Sequence, residues 1–443
     1  MIAGSRAPEA GGEVLVHDLA QVVDPRGGTS DPLAVVADGF VWIRDGEVAA
    51  AGPMADLPSQ AARLLDNSGD PRIFDGSGCV ALPGLVDSHT HALFGATREH
   101  EFERRLLGAT YQEIAAGGGG IQFSVRDLRS RSEDELVEIS RPRIAEFARF
   151  GVTTVEVKSG YGLTVEDELK SLRAIQRLAR DGDLPRIVPT FLGAHAIPAE
   201  LAADRAAYVR VVIDEMLPAV AEAGLARFCD VFCEEGAFTI AESEVILDRA
   251  AGLGLGLKIH AEEFTSLGGA ALAARLGAAS ADHLVAVDAD GIAALAESET
   301  VATLLPGTSL FLKLGRHAPG RALADAGATL AVSTDFNPGS SMTQNLPLMV
   351  PLACLNLGLT IAEAVRAVTR GGAQAIARPE LGSLEPGSPG DLAVFDAPDV
   401  RHLAYHYGVP RAVLTVRRGR RLWPAAEPCR DGANCQAGRP SLS

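Results

Sequence analysis

The chain has 443 residues, of which 57 are acidic and 40 basic, for a formal charge of −17. Hydrophobic residues make up 47% and charged residues 22%, which excludes an intrinsically disordered chain. The acidic balance excludes the broad basic face that a polyanion requires, so no nucleic-acid partner is expected.

The start, MIAGSRAPEAGGE, lacks a basic segment followed by an apolar one, so no signal peptide is expected. From there to about residue 82 the chain reads as β structure. VLVHDLAQVV and FVWIRDGEVAAAG are β-rich runs, and Asp45 with Gly46 predicts a two-residue hairpin turn. RIFDGSGCVALPG has the same texture.

From residue 83 to 378 short apolar runs alternate with helical patterns. Eight strands are predicted: GLVDSHTH, TTVEVK, VPTFLGAH, DVFCE, LKIHAE, SADHL, ATLLPG and AVSTD. Val209, Val212, Ile213, Met216, Leu217 and Val220 recur at helical spacing, as one buried face does. Thr164 with Asp167 reads as an N-terminal capping pair. Eight strand-then-helix units predict a (β/α)8 TIM-like barrel in the α/β class.

LPLMVPLACLNLGLTIAEAV (346–365) is the most apolar long stretch, but prolines, Asn356 and Glu363 interrupt it, so no membrane span is expected. DLAVFDA and AVLTVRRGRRLW return to β texture over 379–424. They are expected to join 1–82 in a small β-sandwich domain built from both chain ends. The polar tail 425–443 is expected to be disordered. Six cysteines without a disulfide spacing suit a reducing, cytoplasmic setting. Cys229 and Cys233 read as buried thiols rather than ligands.

The chemistry sits where the strands stop. His89 and His91 form an H-x-H, whose side chains point one way in an extended segment. Chance alone gives such a pair in roughly one chain of this kind in five. His195, His260, His283 and Asp335 end four further strands. In a barrel those ends form the active-site rim, and ionisable groups there are hard to explain as core residues. Imidazoles with one carboxylate and no thiolate suit a metal ion such as Zn²⁺ or Fe. H-E-x-x-H, phosphate-loop, nucleophile-elbow and dinucleotide signatures are absent. The run Gly117–Gly120 reads either as a flexible loop or as a lid over the barrel mouth. Lys158 reads as a rim ion pair.

PGLVDSHTH, the β-rich ends and the later strand-end His and Asp resemble the metal-dependent amidohydrolase superfamily. EFERRLLGATYQEIAAGGGGI, EVKSGYGL, TFLGAHAIP, VFCEEGAF, KIHAEEF, SADHL, LLPGTSLFL and STDFNPGSS extend the resemblance over about 83–345. They are similar to its members that open the cyclic amide of 4-imidazolone-5-propanoate to N-formimidoyl-L-glutamate in histidine degradation.

The resemblance implies one divalent or trivalent metal ion, Zn or Fe, held by His89, His91, His260 and Asp335. It implies substrate contacts from Arg98, Tyr161, His195, Glu263, His283, Asn337, Gly339 and Ser340, and a homodimer. Ser88 and Thr97 depart from the family pattern, which leaves loop shape open. On this reading Asp335 accepts a proton from water, and Glu263 and His283 share the remaining proton and oxyanion work. Arg98 offers a planar fork to the propanoate, and His195 meets either ring or tail. Two rivals stand beside it. One is another mononuclear amidohydrolase such as a nucleobase deaminase; the other is a metal-dead structural homologue.

Overall fold

The computed structural model describes residues 11–26, 32–67, 69–109, 113, 118–409 and 411–424. The tail 425–443, with Cys429 and Cys435, lies outside the described residues, as does Gly117 of the glycine run. Five strands open the chain: β1 (Val14–Val23), β2 (Val35–Arg44), β3 (Glu47–Pro53), β4 (Ile73–Asp75) and β5 (Val80–Pro83). Asp45 and Gly46 both take positive φ, 54° and 79°, and turn β2 into β3 as the dipeptide predicts.

Eight parallel strands follow. They are β6 (Leu85–Asp87), β7 (Val152–Lys158), β8 (Arg186–Ala194), β9 (Phe228–Cys233), β10 (Gly256–Ala261), β11 (Ser280–His283), β12 (Val301–Leu304) and β13 (Leu330–Val332). They pair in chain order from β6 to β13, at all eight predicted places. The ends of the row meet through a parallel bridge between Thr90 and Phe336. There the His91 N–H donates to the Phe336 carbonyl at 2.9 Å and the Asp335 N–H to the His89 carbonyl at 3.1 Å. Helices such as Val165–Leu178 and Ile240–Gly252 cover the outside. Thr164 caps the first by accepting the Asp167 N–H at 3.1 Å.

Three strands close the chain: β14 (Leu392–Phe395), β15 (Ala412–Arg417) and β16 (Arg420–Trp423). β14 pairs antiparallel with β5, so both chain ends enter one mixed sheet, ordered β16-β15-β14-β5-β1-β2-β3. The expected sandwich thus takes the form of one continuous sheet. Val16, Val41, Ile43, Val394, Leu414 and Val416 from its two halves share a core. Among the described residues no helix is long and apolar enough to cross a membrane.

Candidate active site and metal centre

The H-x-H lies just beyond β6, in the extended stretch that bridges to β13's continuation. His89 and His91 therefore point the same way, toward the barrel axis. His260 arrives from β10. The three histidines each offer a ring nitrogen, and these atoms lie within 4.8 Å of one another. His260 Nε2 stands 3.2 Å from His91 Nε2. Asp335 Oδ1 lies 3.6 Å from both His89 Nε2 and His91 Nε2. His283 joins the ring cluster, 5.2 Å centroid to centroid from His260. His195 stacks on His91 at 5.0 Å, and Tyr161 lies 5.4 Å from His195. Residues separated by up to some 250 positions in the chain thus meet at one end of the barrel.

The protonation states suit cation binding. Burial, with neighbouring positive groups second, holds His89 and His91 well below the ordinary histidine range, so both rings are neutral. His89 Nδ1 is 2.6 Å from Asp282 Oδ2 and donates its proton there. Its Nε2 lone pair is then aimed at the cluster, buried and without a hydrogen-bond partner. Such an orphaned acceptor costs free energy unless something electropositive meets it. Imidazoles with one carboxylate and no sulfur are the donor set of a borderline cation, so the residues present fit one. Burial pushes Asp335 up to about 6 despite a hydrogen bond from the Thr308 hydroxyl, 2.7 Å from Oδ2.

A layer below the histidines was not anticipated. Lys158, the last residue of β7, makes its ion pairs fully buried, with Nζ 2.7 Å from Asp230 and 2.8 Å from Glu156. Lys258 Nζ is 3.0 Å from Glu156 and 2.8 Å from the Ser88 carbonyl. Burial alone would strip Lys158 of its proton, but Asp230, Glu156 and Asp282 outweigh it and hold the ammonium above its usual range. Asp230 Oδ2 lies 3.0 Å from His260 Nδ1. Asp230 and Asp282 thus back two of the histidines from below, as carboxylates commonly back metal-bound imidazoles. The Asp282→Asn variant is expected to bind a divalent cation about 10–100-fold more weakly while keeping its fold. Chelator competition measures this, and an unchanged affinity would remove Asp282 from the support of His89.

The remaining predicted residues form the walls. Glu263 sits on the turn after β10, where Glu234 accepts the Phe264 N–H at 2.8 Å and Glu262 accepts the Gly268 N–H at 2.9 Å. Glu263 Oε2 is 3.8 Å from His283 Nε2. Burial, then Asp335 and Glu234, hold the Glu263 carboxyl well above its ordinary range. Burial similarly keeps His195 neutral, near 3. Its Nδ1 donates to the Gly160 carbonyl at 3.0 Å, which leaves Nε2 as an acceptor. Glu262, His283, Leu284 and Asp335 all take positive φ at these strand ends. Non-glycine residues there store about 1–3 kcal/mol each, which a functional rim tends to retain.

The charge of Arg98 opposes the rise that burial gives the Tyr161 phenol. Its Nε and Nη2 donate to Glu101 Oε2 at 3.0 and 2.7 Å. Asn337, Gly339 and Ser340 form a tight turn beside it. The Asn337 amide donates to the Asp335 carbonyl at 2.6 Å and to Ser340 Oγ at 2.8 Å. Its oxygen accepts the Gly339 and Ser340 N–H groups at 2.8 and 2.7 Å. That amide is committed to shaping the backbone around Asp335.

Residues 118–422 match the model of the amidohydrolase family. The chain is 48% identical to an imidazolonepropionase of Symbiobacterium thermophilum, over 89% of this chain and 92% of that one. It is 44% identical to an imidazolonepropionase of Geobacillus kaustophilus, over 92% and 97%. Its fold resembles a solved adenosine deaminase of Xanthomonas campestris with bound zinc, at 20% identity and TM-score 0.64, over 94% and 93% of the two chains.

Proposed function

Because this chain belongs to the amidohydrolase family and, within it, to the imidazolonepropionases, we propose that it opens the ring of 4-imidazolone-5-propanoate with water, giving N-formimidoyl-L-glutamate. The observation that carries this reading is the convergence of two groups. Donor atoms of three histidines and Asp335 cluster together, and the Arg98 guanidinium acts on Tyr161, whose ring lies 6.1 Å from that of His91.

His89, His91, His260 and Asp335 would hold the metal ion. When bound, such a cation lends Lewis acidity that makes water a nucleophile near neutral pH. Zn²⁺ and Fe share this donor set, and elemental analysis of purified protein separates them.

Water attacks the ring carbonyl carbon and the bond from that carbon to the adjacent ring nitrogen breaks. The carbon becomes the new carboxylate and the nitrogen stays on the formimidoyl group. Asp335 takes the proton that water sheds. Thr308 occupies its Oδ2, so Oδ1 faces the reacting centre. Glu263, protonated before the reaction, gives its proton to the departing nitrogen. His283 is neutral and next to Glu263, where it orients the water or the developing oxyanion. His195, as an acceptor, suits a ring N–H better than an anionic tail.

Arg98 meets the propanoate. The Arg98→Ala variant is expected to raise KM roughly 10- to 150-fold, for a lost charged hydrogen bond of about 1.5–3 kcal/mol, with a smaller change in kcat. Steady-state kinetics checks this, and a normal KM with low kcat would assign Arg98 another task.

The direct assay follows loss of imidazolone absorbance with purified, metal-analysed protein. Ammonia release from nucleobases without imidazolone turnover would instead favour the deaminase reading. A cytoplasmic homodimer completes the proposal, and sedimentation tests the assembly.

A further inference from the structure

We propose that Glu101 is a positioning residue that holds Arg98 for the substrate's carboxylate; the inference rests on Arg98 receiving that carboxylate. Arg98 is the residue before the helix Glu99–Leu106, and Glu101 sits one turn into it. Glu101 is buried, with 5% of its side chain exposed, and Arg98 is nearly so at 11%. A carboxylate is placed there only if it is paired. Both its oxygens are used. Oε2 receives Nε and Nη2 of Arg98, and Oε1 receives the Gly120 N–H at 2.9 Å, where the glycine run enters the helix Ile121–Ser130.

Two consequences follow from the shape of a guanidinium. Its side edge, Nε with Nη2, is occupied by Glu101. Among the described residues no hydrogen bond reaches Nη1, so the end edge, Nη1 with Nη2, is the one open to an anion. Gly339 borders that edge. A Cβ built on Gly339 would stand 2.5 Å from Arg98 Nη1, so glycine there leaves the nitrogen its place. Glu101 also tethers the arginine to Gly120 on the neighbouring segment, and neither a free lysine nor an unpaired arginine would have that rigidity. The pairing has an opposing effect, since Glu101 partly neutralises the cation that must attract the tail. Orientation outweighs attraction, because an untethered arginine would have to be ordered by the substrate itself.

The test uses Glu101→Gln and Glu101→Ala in the metal-loaded enzyme, with 4-imidazolone-5-propanoate and with an analogue whose tail is the neutral propanamide. With the natural substrate, Glu101→Ala should raise KM about tenfold with a much smaller fall in kcat. Glu101→Gln, which keeps an acceptor for Nε, should fall between it and the parent enzyme and also serves if the alanine variant fails to fold. With the propanamide the variants should match the parent. In an Arg98→Ala background, removing Glu101 should change KM no further. A lowered or unchanged KM in both Glu101 variants, or equal effects on both substrates, would overturn the proposal. An unchanged KM in Arg98→Ala alone would instead overturn the reading of Arg98 on which it rests.

Discussion

The His260→Ala variant should lose bound metal and, with it, turnover. His260 faces His91 nitrogen to nitrogen at 3.2 Å and comes from a strand remote from the H-x-H. Its removal deletes one corner of the donor set and leaves Asp230 without the partner at 3.0 Å. Losing an outer support of a ligand already costs about 10–100-fold in affinity, so losing a ligand should cost more. Metal content after gel filtration, read beside circular dichroism of the same sample, checks the result. A folded variant with a full complement of metal would refute the assignment of His260.

Glu263→Gln should keep the metal, the fold and KM near those of the parent while kcat falls by about 10²–10⁴-fold, the usual worth of a positioned proton donor. The amide is the same shape and still donates a hydrogen bond, but it has no proton to give. Burial with Asp335 and Glu234 close by raises the native carboxyl well above its ordinary range, which favours the proton-bearing form. Parent-like kcat in this variant would remove Glu263 from the chemistry and leave His283 as the remaining candidate for that proton.

Much of this was legible in the sequence because a barrel writes its chemistry at regular places. Each of the eight apolar runs became a barrel strand, and the ionisable residues that ended them came together. The layer beneath them was harder to see. Glu156 with Lys158, and Lys258 with His260, alternate with apolar neighbours along VEVK and LKIH. Residues two apart share a face, and in a closed barrel one face is the interior. That signal was present, but a strand sequence does not say how far down the axis a charge lies. Lys158 makes the ion pair that its strand-end place suggests, but does so fully buried. Asn337 shows a second limit, since the resemblance implies a substrate contact there and only coordinates show its amide also hydrogen-bonded to the backbone. The partner of Arg98 stands three residues away, at ordinary helical spacing that by itself suggests only a surface pair.

The Thr90–Phe336 bridge joins the first and last strands of the barrel. His89 and His91 belong to one side of that seam and Asp335 to the other. A cation gripped from both sides would act as a cross-link across a very long loop, offsetting part of the entropy lost when the hoop shuts. Assembly of the site and completion of the cylinder would then be one event. A chain still open along this edge would have no half-formed reactivity to leak.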